Sequence, residues 1–165
     1  MPIAQSFRRV QAAYAEDEQR PLLGYLASLC SYGVLVGLAT AVGRHRGTRL
    51  PERFTAGDTV LLALATHKAS RLMTKSSITS VLRAPFTRYE KPAGVAEVQE
   101  TVRGNGVRHA VGELMTCPFC SGVWIAGALT AGLVLAPRPT RLITTALSAV
   151  AASDWLHVGY DAAKN

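Results

Sequence analysis

At 165 residues the chain has the length of a single domain. Hydrophobic residues make up 48% of it and charged residues 18%, and the charges lie between a few long apolar blocks. The net charge of +7 would suit nucleic acid, but the basic residues flank the apolar blocks and no aromatic residues alternate with them. This pattern argues against nucleic acid and favours an anionic membrane surface, and three cysteines, an odd number, argue against a secreted disulfide framework.

Residues 1–21 form an N-terminal segment ahead of the first apolar block. Apolar side chains recur in it at helical spacing, with Arg8 and Arg9 beside them: Ile3, Phe7, Val10 and Tyr14. This stripe predicts a cytoplasmic helix that either lies in the membrane interface or packs as a cap on the helices that follow.

The first two apolar blocks predict transmembrane helices over residues 22–43 and 54–73. The first contains 22 residues without a charge, which as a helix is ~33 Å long and matches the hydrocarbon core of a bilayer. The second spans only if Lys68 and Arg71 extend their charged ends to one interface, and the alternative is a helix lying half in that interface.

Two further apolar blocks predict spans over residues 119–136 and 142–160. The stretch "PRPTR", residues 137–141, predicts a tight turn between them. The third span carries small residues that favour close helix contact or self-association in lipid: Gly122, Gly127, Ala131 and Gly132.

The predicted fold class is therefore an all-α polytopic membrane protein, with four transmembrane helices in two hairpins forming a single membrane domain, residues 22–160. If both termini are cytoplasmic, 12 of the 18 Lys and Arg residues lie inside and 6 outside, as the positive-inside rule prefers. We thus expect a multi-pass protein of the cell membrane.

The connection between the second and third spans, residues 74–118, is then a cytoplasmic loop. It is polar, and we expect a short helix in it near residues 96–103. The basic stretch "LRAPF" and its neighbours are candidates for contact with a protein partner or lipid headgroups: Arg83, Pro85, Phe86, Arg88 and Glu113.

The stretch "TCPFC" places Cys117 and Cys120 at the start of the third span. Pro118 suits the first position of a helix, so Cys117 becomes the residue that caps it, where free backbone N–H groups favour a thiolate. Three interpretations stay open for the two thiols: packing at a helix interface, a redox dithiol, and a metal site.

A metal site would need ligands beyond the two cysteines, because a tetrahedral site takes four. The candidates at the same membrane level are His157, Asp154 and His67, and the ion would be zinc or iron. Asp154 also stands alone as a charge among apolar residues, so we expect it to pair with Lys68 or Arg71 across two helices, in preference to serving a proton or ion relay.

The order of these blocks resembles a bacterial membrane family, the domain-of-unknown-function family 1360. The resemblance covers roughly residues 54–157, and "RAPF" and "GELMTCPFCSGVW" are its most specific parts. It implies a small multi-spanning membrane protein and treats six residues as one set, without supplying an enzymatic activity: Arg83, Pro85, Glu113, Cys117, Cys120 and Trp124.

Three functions follow as hypotheses. The first is a non-enzymatic membrane anchor or accessory subunit whose cytoplasmic face recruits a protein partner. The second is a metal-binding or thiol-redox membrane protein that uses Cys117 and Cys120. The third is a small pore or holin-like assembly.

Overall fold

A computed structural model describes residues 9–10, 13–14 and 20–164 of the chain. The helix predicted for the N-terminal segment, residues 1–21, lies almost wholly outside the described residues. From Leu22 onward the chain is mostly helical and contains one two-stranded sheet. In chain order the elements are α1 (Leu22–His45), α2 (Ala56–Lys75), α3 (Ser80–Arg83), β1 (Thr87–Gly94), β2 (Glu97–Val102), α4 (Val107–Thr116), α5 (Pro118–Leu135) and α6 (Pro137–Lys164).

The four long helices α1, α2, α5 and α6 coincide with the four apolar blocks. Helix α2 begins with a capping box, in which the Thr55 hydroxyl accepts from the Asp58 backbone N–H and the Asp58 carboxylate accepts from the Thr55 backbone N–H. Helix α6 begins at Pro137, so "PRPTR" forms its first turn where a tight turn was predicted. Proline is tolerated in a first turn because the N–H that it lacks has no partner there.

The long helices pack in parallel pairs taken from different hairpins. Helix α2 runs beside α6: Arg141 lies 3.8 Å from Asp58 near the start of both helices, and Lys68 meets Asp154 further along both. Helix α1 likewise runs beside α5, with Tyr32 stacked edge-on against Trp124 at 5.2 Å between ring centroids. Helix α5 also packs on α2, whereas α1 contacts α4 and α5. The helices of each predicted hairpin are therefore divided between two parallel pairs, and α1 packs on α4 and α5 rather than on α2.

Small side chains make these helix contacts. The residues of α6 that face inward recur at helical spacing and are small: Thr140, Thr144, Ser148 and Ala151. The Ser148 hydroxyl donates to the Leu61 carbonyl of α2 at 2.8 Å. A Cβ atom on Gly127 of α5 would lie 2.7 Å from the Tyr32 hydroxyl, so this glycine is what lets α1 approach. Gly127, one of the small residues predicted to favour close helix contact or self-association, therefore makes its close contact within the same chain.

The connection between α2 and α5 is folded, and we call residues 76–116 the base. The helix expected near residues 96–103 is wrong, because Glu97–Val102 is strand β2, paired antiparallel with β1. Its sequence "EVQETV" alternates, and Val98, Glu100 and Val102 are less exposed than Gln99 and Thr101, the period-two pattern of a half-buried strand. The sheet also makes the all-α fold class wrong in this region, and α4 is a helix that was not predicted.

Two helices are long and apolar enough to cross a membrane by length and composition. In a search confined to the described residues they are α1 and α5. Only 6% of the apolar window of each helix is buried inside the protein. Helices α2 and α6 carry more polar residues and are not among the two candidates.

Candidate functional site

Arg83, the arginine of "RAPF", lies in the interior of the base. Its side chain is fully buried and lies against the nearly buried Glu100 of β2, to which Nε donates a hydrogen bond at 2.6 Å. The other guanidinium donors reach the end of α2 and the start of α3: the carbonyls of Met73 and Ser76 and the hydroxyls of Thr79 and Ser80. Arg83 therefore joins α2, α3 and β2 from the inside, and it is not presented to a partner or a lipid.

The residues that follow Arg83 divide between the interior and the surface. The Pro85 carbonyl accepts from Arg103 at 3.3 Å and from Arg108 at 2.5 Å, so it fastens β2 and α4 to α3. Phe86 is half-buried, and its carbonyl accepts from the Arg103 backbone N–H. Arg88 is exposed on β1. Of the predicted contact residues in this stretch, Pro85 and Arg88 are exposed, and Arg88 is the charged one.

Helix α4 brings Glu113 beside the start of α1. The carboxylate lies 3.7 Å from the Arg20 guanidinium and 3.5 Å from His109 Nε2. The preceding residue, Gly112, is buried, and a Cβ atom there would meet a Val102 methyl at 2.6 Å and the Phe86 carbonyl at 3.0 Å. Gly112 thus lets the backbone of α4 contact the sheet, and Glu113 places its carboxylate beside the start of α1.

The two cysteines lie where α4 ends and α5 begins. Cys117 caps α5 as predicted from Pro118, and its sulfur accepts the Cys120 backbone N–H at 3.2 Å. The two Sγ atoms are 2.7 Å apart, and both cysteines are free thiols. Cys117 is half-buried and Cys120 is exposed. The pair is close enough for thiol chemistry or for sharing one ligand.

A second group of polar residues surrounds a cleft of about 660 Å³ between α2, the β1–β2 turn and the last part of α6. Lys68 Nζ donates to Asp154 Oδ2 at 2.5 Å across this cleft. Arg71 forms a two-pronged contact with Glu97 at 2.6 Å. Of the two cations considered as partners of Asp154, Lys68 is therefore the one in contact, and Arg71 instead holds the sheet to α2.

His67 and His157 are both exposed and line the same cleft as Asp154. In the part of the chain that the structure describes, no three His, Cys, Asp or Glu side chains are grouped closely enough to hold a metal ion. The structure therefore does not bring His157, Asp154 and His67 to the cysteines as one ligand set. Any metal at Cys117 and Cys120 would need ligands from elsewhere.

Sequence reasoning missed the two acidic residues that complete these contacts, Glu97 and Glu100. Both lie in β2, in the segment that was predicted as a helix, so the sequence did not place them on a strand. The feature of the sequence that could have indicated them is charge: Arg71 and Arg83 call for carboxylate partners, and few acidic residues lie near them in the sequence.

Comparison with known proteins identifies relatives of this chain. The chain matches the family described as "Protein of unknown function (DUF1360)" over residues 61–160, which includes α2 from Leu61 onward, the whole base, α5 and most of α6. The protein named "Sporulation protein YjcA" of Bacillus subtilis (strain 168) is 36% identical over 92 residues, which are 54% of this chain and 78% of that protein. No solved structure gives a significant match.

Arg83, Glu113, Cys117, Cys120 and Trp124 all fall within the matched range. The family match covers more than half of the chain, and the Bacillus protein is matched over more than two thirds of its own length. The chain is a member of the DUF1360 family.

Proposed function

We propose that the chain is an integral protein of the cell membrane, with α1, α2, α5 and α6 as four spans, and that its base recruits a protein partner on the cytoplasmic side. The proposal combines two parts, the membrane setting and the recruiting surface. Each part has its own supporting observation and its own test.

The distribution of large apolar side chains supports the membrane setting. Among the described residues, the buried hydrophobic side chains are three alanines, Ala65, Ala110 and Ala151. Large apolar side chains of α1 and α5, such as Leu29 at 68% and Val123 at 58%, are exposed. A water-soluble domain fills its interior with large aliphatic residues, whereas helices in lipid pack through small ones. This inverted distribution is the observation that carries the proposal.

The positive charge of the base supports its cytoplasmic orientation. Arg88, Lys91, Arg103 and Arg108 lie in the base, and Lys68 and Arg71 lie at the end of α2 that joins it. The opposite ends of the helices hold fewer basic residues, so the positive-inside rule favours a cytoplasmic base.

Strand β1 supports the recruiting role. It is hydrogen-bonded to β2, its partner in a sheet of two strands, and seven of its eight residues are exposed. Arg88, Tyr89 and Lys91 project from it, and Tyr89 is 63% exposed. Tyrosine and arginine are enriched among the residues that dominate binding energy at protein interfaces, and an open strand edge can pair with an extended segment of a partner.

The recruiting surface can be tested by photo-crosslinking in cells. A photoreactive phenylalanine replaces Tyr89, and the matched control carries it at Tyr160, a tyrosine of α6 that is 61% exposed. We expect a discrete adduct with another protein at position 89 that disappears in an Arg88→Ala background and is not formed at position 160. Identical adducts at both positions, or none at position 89, would contradict the recruiting role of β1.

The cysteine pair favours a second candidate function, thiol or metal chemistry at the membrane interface. Its supporting observation is the direct contact between the Cys120 thiol and the Cys117 sulfur at the start of α5. The test is metal analysis of the detergent-purified protein, together with titration of free thiols before and after reduction. About one zinc or iron per chain, lost in the Cys117→Ser/Cys120→Ser variant, would establish a metal site.

The same variant separates the two functions. If β1 recruits the partner without the thiols, Cys117→Ser/Cys120→Ser leaves the Tyr89 adduct unchanged. Loss of the adduct at normal protein level would favour the thiol pair as the working site.

A further inference from the structure

A groove with a cavity volume of about 980 Å³ lies between α1 and α5, away from the base. Its walls are apolar, with Val36 and Ala39 on α1 and Val123, Ala126 and Val134 on α5. The volume is at the upper end of the range of about 300–1,000 Å³ typical of small-molecule sites. Tyr32, which lies against Gly127, lines the groove at the end nearer the base.

The other end of the groove carries a cation. Arg44 and Thr48 line it there, just after the apolar part of α1. Arg44 is exposed, and within residues 20–164 no carboxylate lies within ion-pairing distance of its guanidinium. Arg46 and Arg49 follow in the same loop, and among the described residues neither of them has an ion-pair partner.

The length of the groove matches one leaflet of a bilayer. Tyr32 and Arg44 are separated by twelve residues of helix, or ~18 Å along the axis. Half of the hydrocarbon core is ~15 Å thick. A chain that began at the headgroup level beside Arg44 would therefore end near the middle of the membrane beside Tyr32.

We propose that this groove binds an anionic phospholipid, with an acyl chain between α1 and α5 and the phosphate at Arg44. The inference rests on the proposed membrane setting, and the topology proposed above assigns the lipid to the outer leaflet. The apolar walls account for the acyl chain, and the unpaired guanidinium accounts for the preference for a negative headgroup. A second copy of the chain is the competing occupant.

The test uses the full-length protein purified in detergent, exposed to equal amounts of phosphatidylglycerol and phosphatidylcholine, and analysed by native mass spectrometry. We expect one phosphatidylglycerol per chain to be retained in preference to phosphatidylcholine. Arg44→Gln removes a charge-assisted contact and is expected to lower this retention by about tenfold or more. Arg138→Gln changes an exposed arginine at the same end of the molecule but outside the groove, and is expected to have no effect.

The groove itself is tested by filling it. Ala126→Leu and Ala131→Leu add bulk inside the groove and should abolish retention of the lipid. Gly37→Leu adds the same bulk on α1 where no atom lies within 4 Å, and should leave retention unchanged. If either leucine variant fails to fold, the other one and Arg44→Gln still decide the outcome.

Equal retention of both lipids, or full retention in Arg44→Gln, would overturn the proposal. A lipid-free dimer that Ala131→Leu dissociates would overturn the proposal and assign the groove to a second copy. Alkaline carbonate extraction of membranes separates this failure from that of the membrane proposal. A protein that stays in the membrane pellet but retains no phosphatidylglycerol refutes the lipid site alone, whereas a protein released by carbonate refutes the membrane setting.

Discussion

Arg83 shows how one side chain can hold a small non-helical unit together. Its guanidinium is fully buried, and its donors are distributed over α2, α3 and β2. A buried charge of this kind is tolerated only when a carboxylate and further hydrogen bonds surround it, and Glu100 and the neighbouring carbonyls supply both. The arginine of "RAPF" therefore has a structural role, and the recruiting role that we propose is assigned to the exposed Arg88 and Tyr89.

Replacing Arg83 by methionine is expected to destabilise the base by about 3–5 kcal/mol, because Glu100 is left as an unpaired buried charge. The combined Arg83→Met/Glu100→Gln variant should be less damaged than Arg83→Met alone. Arg88→Met, at an exposed arginine five residues on, should change stability by no more than about 0.5 kcal/mol. Thermal unfolding and the rate of limited proteolysis of the purified proteins measure these differences. Equal stability of Arg83→Met and Arg88→Met would contradict the central role of Arg83.

The ion pair between Lys68 and Asp154 is a second contact between single residues. The free energy that it contributes to stability depends on whether water or lipid surrounds it. An exposed ion pair in water contributes at most about 1 kcal/mol, whereas an unpaired carboxylate within lipid costs about 2.5–3.5 kcal/mol. In the proposed topology the pair lies near the inner end of two spans, so we expect Lys68→Met to cost about 1–3 kcal/mol in a reconstituted bilayer. The charge exchange Lys68→Asp/Asp154→Lys should recover most of this loss.

Arg141 and Asp58 provide the matched comparison, since this pair is 3.8 Å apart with the Arg141 side chain 68% exposed. Arg141→Met should therefore change stability by less than about 0.5 kcal/mol. If Lys68→Met were no more damaging than Arg141→Met, Asp154 would lie in water and the fourth span would end before it.

At the scale of elements, α4 docks on the sheet through Gly112. Because a Cβ atom there would overlap a Val102 methyl, Gly112→Val is expected to separate α4 from β2 and to cost about 1–3 kcal/mol or more. A Cβ atom on Gly159 of α6 would meet no other atom within 4 Å, so Gly159→Ala should instead stabilise its helix by about 0.5–1 kcal/mol. Opposite signs in thermal unfolding would support the docking, and a neutral Gly112→Val would contradict it.

The elements also show what the sequence alone could predict. The four long helices follow from runs of apolar residues that few charges interrupt, a signal that needs no knowledge of contacts. The sheet was missed because "EVQETV" is short, two thirds of it polar, and stabilised by contacts with Ser76, Arg71 and Arg83 that are distant in sequence. The cap at Cys117 was predictable from Pro118 because it is local, whereas the separation of the cysteines from His67 and His157 depends on how the helices pack.

At the scale of the whole molecule, the four long helices form an apolar bundle, and the base at one end of it is polar. The bundle packs through alanine, serine and threonine, and its large apolar side chains point outward. The base contains the sheet and its ion pairs. Such a division suits a protein that is held in the membrane by one part and presents the other to a partner in water.

The most direct test of this account is the side of the membrane on which each end of the bundle lies. In a variant without native cysteines, single cysteines are placed at Val95 in the β1–β2 turn, which is 99% exposed, and at Leu50 in the α1–α2 loop, which is 77% exposed. Labelling with a membrane-impermeant maleimide is compared between intact and permeabilised cells. We expect position 50 to be labelled in intact cells and position 95 only after permeabilisation. Labelling of both positions under the same condition would contradict a bundle that crosses the membrane with its base in the cytoplasm.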